Sequence, residues 1–305
     1  MKVINYIGKK YCKHLIKDNL EYFFKECNLC TKDNKTPYII NIEIKEWGFT
    51  TSIDISGVCG YTVVENNKDY LKQLFKAIDI KLSNYKAIVT LEIILVDPGD
   101  LLYKPYILPS TKLLIGYNYK GEPLVADMLK TPHIGVQGLS NSGKSKMVET
   151  ALINLIDSDI TLLNVFKDDF KGVQAIRING NDNILEYLKN LVNEPKERVK
   201  PLYVVIDELN VLNNDKKISA SILSLLGQAR HYNIYVIGIG QTLLKENCKY
   251  KHLFNVRVTF KVIDKSMVTA FLGCSIENTD LQQREFFLYA DNIHRGKTYF
   301  LNDII

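Results

Sequence analysis

The sequence predicts an α/β fold, a mostly parallel sheet covered by helices on both faces, preceded by a small α+β domain. Three observations carry this expectation. From about Leu114 onward, near-continuous apolar strand-like runs alternate with helix-period segments, the texture of a parallel sheet buried on both sides. Before that point, strand-like alternation and helical spacing mix over short stretches. Between them, Asp97-Pro98-Gly99-Asp100 reads as a turn and Pro105 to Pro109 as a linker, dividing the chain into 1–110 and 111–305.

In order, residues 5–26 have the spacing of an amphipathic helix through Tyr11, Leu15, Tyr22 and Phe23, and Lys32 to Thr36 is a polar break. Tyr38 to Ile44 and Thr50 to Ile55 alternate as strands, Asn67 to Ile78 is helical in period, and Ala87 to Val96 is a strand run. Within the larger domain, 111–305, the strand His133 to Val136 is followed by a helix after Gly143. Strands Ile160 to Phe166 and Ala175 to Ile178, the helix Asn181 to Val192 and the apolar strand Leu202 to Ile206 follow. A helix from Ile218 to about Tyr232 places Ile218, Ile222, Leu225, Leu226 and Ala229 on one face. Strands Ile234 to Ile239 and Asn255 to Val262, a short helix Ser266 to Leu272 and two closing strands complete the pattern.

With 305 residues, 46% of them hydrophobic, the chain can bury a substantial core without disulfide staples. No apolar run approaches the length of a membrane span, and the first residues break into lysines too early for a signal peptide, so the expected location is cytoplasmic. The six cysteines are scattered, as expected of reduced thiols. Cys27-Asn28-Leu29-Cys30 together with Cys12 and His14 could supply four zinc ligands, but a single C-x-x-C is a weak signal and free thiols are the simpler expectation. The net charge of +5 says little about partners. All six arginines lie beyond residue 170, so arginine is kept where a planar guanidinium matters.

The chemistry concentrates in Gly138-Leu139-Ser140-Asn141-Ser142-Gly143-Lys144-Ser145, a complete G-x-x-x-x-G-K-S loop between a strand and a helix. Its backbone N–H groups and the following helix N-terminus form an anion cradle. Lys144 is placed to reach the β/γ-phosphates of ATP, and the Ser145 hydroxyl to ligate Mg²⁺. Asn141 is suited to a left-handed backbone position within the loop. Downstream, the strand Leu202 to Ile206 ends in Asp207-Glu208. Asp207 is expected to hold the Mg²⁺ shell and Glu208 to polarise the attacking water, which argues for hydrolysis and not only binding. Gln241 ends the next apolar strand, where an amide could sense the γ-phosphate or orient water; a plain loop glutamine is the equal alternative.

These residues carry a resemblance. The run Gly121-Glu122-Pro123-Leu124-Val125-Ala126-Asp127 through Pro132-His133 into the loop, the stretch Tyr203 to Leu209, the Arg230-x10-Gln241 spacing and Asn255 to Phe260 are similar to the motor of FtsK/SpoIIIE-type DNA translocases. The likeness covers roughly residues 110–300, and Gly48 to Ile78 more faintly resembles the small domain ahead of that motor. It implies a RecA-like ATPase assembling as a homo-oligomer, a hexameric ring, that pumps DNA. It also implies that Arg230 reaches into the neighbouring subunit's nucleotide site, with Arg257 as rival, and that Lys216 and Lys217 face DNA phosphates. Asn141 replaces the family's usual glycine, the stretch from Asp168 to Asp207 is short, and no membrane-spanning head or winged-helix DNA reader is read in this chain. The expectation is therefore a compact version from a mobile genetic element such as a plasmid or phage, acting in conjugation as a coupling ATPase with a relaxase, replication or transfer protein. The alternative is a secretion or virion-assembly ATPase that moves protein.

Overall fold

Alternating side chains decide which face of each strand is buried, and in this computed structural model they build two sheets. The structure describes residues 2–301 apart from 245, 247, 275 and 277–279, with side chains from residue 12 onward. Two compact units are formed, Met1–Gly99 and Asp100–Ile305.

The first unit contains helix α1 (Lys2–Glu26), strands β1 (Tyr38–Lys45) and β2 (Gly48–Asp54), helices α2 (Tyr61–Asn66) and α3 (Lys68–Phe75), and strands β3 (Asp79–Tyr85) and β4 (Ile88–Ile94). Its antiparallel sheet has the order β1-β2-β4-β3. Leu20, Phe23 and Phe24 of α1, Val64 of α2 and Leu71 of α3 are buried with Phe49, Ile53, Val89, Leu91 and Ile93 of the sheet. The helix expected from Asn67 ends at Phe75 because Lys76 turns left-handed (φ 50°), which frees the chain to start β3. Among the described residues, no group of three or more His, Cys, Asp or Glu side chains is placed to hold a metal. Cys12, Cys27 and Cys30 are free thiols, and His14 faces Asp18.

The second unit contains β5 (Lys112–Asn118), β6 (Pro123–Asp127), β7 (His133–Gln137), α4 (Lys144–Ile153), β8 (Asp159–Leu163), β9 (Ile176–Ile178), α5 (Asn181–Asn193), β10 (Leu202–Ile206), α6 (Leu209–Leu212), α7 (Lys216–Gln228), β11 (Ile234–Gly240), β12 (Val256–Thr259), α8 (Lys265–Leu272), β13 (Glu285–Tyr289) and β14 (Ile293–Lys297). Its ten strands run β6-β5-β14-β13-β12-β7-β11-β10-β8-β9. From β12 to β9 the neighbours are parallel, and β13, β14, β5 and β6 extend the sheet in antiparallel fashion.

Every residue of β7, β10 and β11 is buried, as the unbroken apolar runs require. On one face Tyr203 and Val205 of β10 pack with Met147, Val148 and Ala151 of α4. On the other, Val204 and Ile206 pack with Ile184 and Leu188 of α5 and Ile218, Ile222 and Leu225 of α7. Each fully buried Val, Leu or Ile contributes about 1.5–3 kcal/mol, so this double-sided layer holds the site's scaffold rigid. Leu101 and Tyr103, together with Tyr106 and Leu108 of the expected linker Pro105 to Pro109, pack against Leu114, Tyr117 and Tyr299. A short parallel bridge joins Leu102 to Phe300. In the central register Ile206 faces Gly238 and Gly240 faces Gln137, so the carboxyl ends of β10, β11 and β7 finish along one edge.

Candidate active site

The loop between β7 and α4 is shaped by three left-handed residues, Gly138 (φ 148°), Asn141 (φ 60°) and Gly143 (φ 114°). At Gly138 a Cβ would come within 2.6 Å of the Phe260 Cβ, so only glycine fits there. Asn141 tolerates its conformation because its short amide side chain suits the left-handed region. The loop is tied down from several sides. Gly138 N–H donates to Gln241 O (3.3 Å), Leu139 N–H to Lys261 O (2.8 Å), and Arg284 N–H to Ser142 O (2.9 Å). The Gln283 side-chain amide donates to Asn141 O (3.1 Å).

The Lys144 ammonium is folded onto the loop itself, donating to Gly138 O and Leu139 O at 2.8 Å each. Burial lowers its pKa, and the Glu208 and Asp207 carboxylates oppose that effect. Ser142 Oγ is buried with no hydrogen-bond partner. A cation facing inward, an unpartnered buried hydroxyl and a helix N-terminus make a donor-rich cradle that fits polyphosphate.

At the end of β10, Asp207 is buried, its N–H held by Leu163 O and its own O by Asn164 Nδ2. Burial pushes its carboxyl up to about 6; the Glu208 N–H, donating to Asp207 Oδ1 at 2.9 Å, pulls the other way, and the Glu208 and Asp169 carboxylates add to the rise. A buried carboxylate with few donors suits a divalent cation, so Asp207 and the Ser145 hydroxyl are the oxygens that could hold Mg²⁺. Glu208 follows in a left-handed conformation (φ 47°) that is costly for a non-glycine residue, and its side chain is half-buried. The Glu208 carboxylate is close enough to act electrostatically on both Lys144 and Asp207.

Gln241 reaches the same edge. Its O receives the Gly138 N–H, its N–H donates to Asn210 Oδ1 (3.2 Å), and the residue is exposed. Arg230 is not brought to its own chain's loop. Helix α7 stops at Gln228, and Arg230 sits exposed in a single 3-10 turn, Ala229–Tyr232, just before β11 begins. It therefore lies at the opposite, amino edge of the sheet. The rival, Arg257, is committed to local carbonyls: it donates to Phe254 O (3.0 Å), Phe271 O (3.3 Å) and Leu272 O (3.0 Å), closing the end of α8. Lys216 and Lys217 are exposed at the start of α7, whose first turn is capped by Asp215.

Several residues at the site were missed from sequence. Gln137 is fully buried and ties β7 to its neighbours, donating to Thr259 Oγ1 and Met267 O and accepting from Leu243 N–H. Asn210, two residues after the acid pair in sequence, accepts the Gln241 N–H at Oδ1. Arg284 and Phe300, beside the loop on the antiparallel side, line a cleft of about 530 Å³ with Lys144, Ser145 and Asp169.

No family model matches the chain. A segment of 99 residues is 31% identical to the DNA translocase FtsK of Clostridium tetani, covering 31% of this chain and 12% of that protein. Over 119 residues the identity to the DNA translocase FtsK of Rickettsia prowazekii is 26%, covering 38% and 15%. The resemblance to FtsK-type translocases is borne out. The chain spans only a small part of the length of these relatives. Among solved structures, the pCW3 conjugation coupling protein TcpA, a monomer form with ATPgS, superposes with a TM-score of 0.61 at 19% identity, over 94% of this chain and 96% of that one. The cytoplasmic domain of the type VII secretion ATPase EccC of Thermomonospora curvata gives 0.55 at 13% identity, over 68% and 29%. The fold is that of the RecA-like P-loop ATPases, as the FtsK likeness implied, and among the described residues no helix is long and apolar enough to cross a membrane.

Proposed function

We propose that this chain is an ATP-hydrolysing DNA translocase or coupling ATPase of a mobile genetic element, working as a hexameric ring in the cytoplasm. The observation that carries the reading is the meeting of the phosphate loop, the Asp207-Glu208 pair and Gln241 at one edge of three adjacent parallel strands. The partial FtsK likeness supports DNA as the moved polymer. The loop's N–H groups and Lys144 hold the ATP phosphates, and Lys144 exchanges its two carbonyl contacts for phosphate oxygens. Ser145 and Asp207 hold Mg²⁺, which when bound neutralises charge developing on the phosphates. Glu208 accepts a proton from the attacking water, Gln241 orients that water, and Arg230 serves the neighbouring subunit. Lys216 and Lys217 touch DNA phosphates, and a relaxase, replication or transfer protein is the expected partner.

A second reading, an ATPase that moves protein, is supported by the shared fold of EccC. Phosphate release measured with and without duplex or single-stranded DNA separates the two. Stimulation by DNA is expected; turnover indifferent to both forms favours the protein-moving reading. Lys144→Ala is expected to abolish tight ATP binding, while Glu208→Gln binds ATP and hydrolyses it at least a hundredfold more slowly. Wild-type turnover by Glu208→Gln would remove Glu208 from the mechanism.

A further inference from the structure

The cleft beside the phosphate loop has an aromatic part of its lining that phosphates do not explain. Its lining joins Lys144, Ser145 and Lys146 at the start of α4 to Arg284, Tyr299 and Phe300. The cleft is continuous with the phosphate loop, because Asn141 and Gly143 of the loop line it as well.

Phe300 is 45% exposed, yet its backbone is held on both sides: its N–H donates to Leu101 O (2.8 Å) and its O accepts from Tyr103 N–H (2.9 Å). Its ring lies 4.9 Å from the Arg284 guanidinium. That guanidinium is itself fixed, donating to Thr298 O (3.0 Å) and pairing with Asp100 at 3.2 Å. Arg284 accepts a left-handed backbone (φ 70°), unusual for a long side chain, and from there its N–H holds Ser142 O of the loop. A cation–π contact thus joins the aromatic ring to Arg284, and a backbone hydrogen bond joins Arg284 to the phosphate cradle. A held, half-exposed aromatic face opening on the same cleft as the cradle suits a flat π-system.

We propose that the exposed face of the Phe300 ring, positioned by Arg284, is the stacking platform for the nucleobase of the bound nucleotide. The inference rests on the nucleotide reading above and adds the means by which the site recognises the base. Stacking uses a face that every base possesses, so the platform supplies affinity for a nucleoside and not for phosphate alone.

The test compares two ligands by calorimetric titration in the presence of Mg²⁺: ATPγS, which carries a base, and inorganic tripolyphosphate, which does not. Phe300→Ala is expected to weaken ATPγS by roughly 5- to 100-fold, the range of one base–aromatic stack, and to leave tripolyphosphate within about twofold. Phe300→Trp is expected to restore ATPγS binding. Phe300→Leu preserves apolar packing without an aromatic face, and gives the same base-selective loss should the alanine variant fail to fold. Equal weakening of both ligands, or full ATPγS affinity in Phe300→Leu, would overturn the proposal. Wild-type protein that binds neither ligand would overturn the nucleotide reading and this inference with it.

Discussion

Asp207 carries a stability cost that its position predicts. With a folded pKa of about 6 against an ordinary value near 4, its charged form is less favourable in the folded chain than in the unfolded one. The penalty is absent below about pH 4, grows as pH rises, and is complete above pH 6. A shift of that size corresponds to roughly 1–3 kcal/mol once solvent screening is allowed for. Asp207→Asn keeps an acceptor for the Glu208 N–H and removes the charge. It is therefore expected to stabilise the nucleotide-free protein by about that amount at pH 7.5, with the gain vanishing near pH 4, while hydrolysis is lost. Urea unfolding curves at the two pH values measure this, and identical midpoints at pH 7.5 would show that the carboxylate is not destabilising.

At the scale of the element, strand β7 is fastened at both ends by polar side chains. At its carboxyl end Gln137 makes three hydrogen bonds. At its start, buried His133 accepts the Val236 N–H at Nδ1 (3.1 Å) and faces Leu226 O through Nε2 (3.1 Å), an arrangement that requires the neutral ring with its proton on Nε2. Burial lowers its pKa to about 4; the Leu226 carbonyl resists and Arg230 assists. For a histidine lowered in this way, the stabilisation is complete above the unfolded value near 6.5 and is lost as pH falls toward 4. The stability advantage of wild type over His133→Gln is accordingly expected to shrink by about 2 kcal/mol between pH 7 and pH 5. A constant difference would mean that the ring is protonated in the folded state.

The elements around β7 also show what sequence could and could not reveal. Leu202 to Ile206 was legible to the residue because a strand buried on both faces has an unbroken apolar run. Strand β3, with lysine, serine and asparagine at Lys81, Ser83 and Asn84, has no such run, and strand β6 is short and starts at a proline. Helix α2 is only six residues long, too short to show a period. The phosphate loop and the acid pair were legible because each is contiguous. Arg284 and Phe300 were not, since their place beside the loop depends on the order in which β14, β13, β12 and β7 lie in the sheet. Gln137 looked like the first residue of a loop, although it is among the most buried polar groups.

For the whole molecule, the separation of Arg230 from its own loop has a consequence for assembly. Within one chain it stands at the wrong edge of the sheet to touch a phosphate in that loop, so any catalytic action must be across an interface. Arg230→Ala is expected to bind ATP normally and to hydrolyse it at least a hundredfold more slowly. Mixing it with Lys144→Ala subunits is expected to restore part of the activity, because some interfaces then combine an intact Arg230 with an intact Lys144. No recovery at any ratio, in mixtures shown to co-assemble, would rule out action between subunits.

The bridge between Leu102 and Phe300 sets how the second unit is wired into a chain. The polypeptide passes along 101–103 and is back beside that stretch at Phe300, with hydrogen bonds from Phe300 N–H to Leu101 O and from Tyr103 N–H to Phe300 O. Such a pairing closes a loop of nearly two hundred residues with two backbone hydrogen bonds, so loosening either stretch releases the other: Tyr103→Pro would unpair Phe300 O from it.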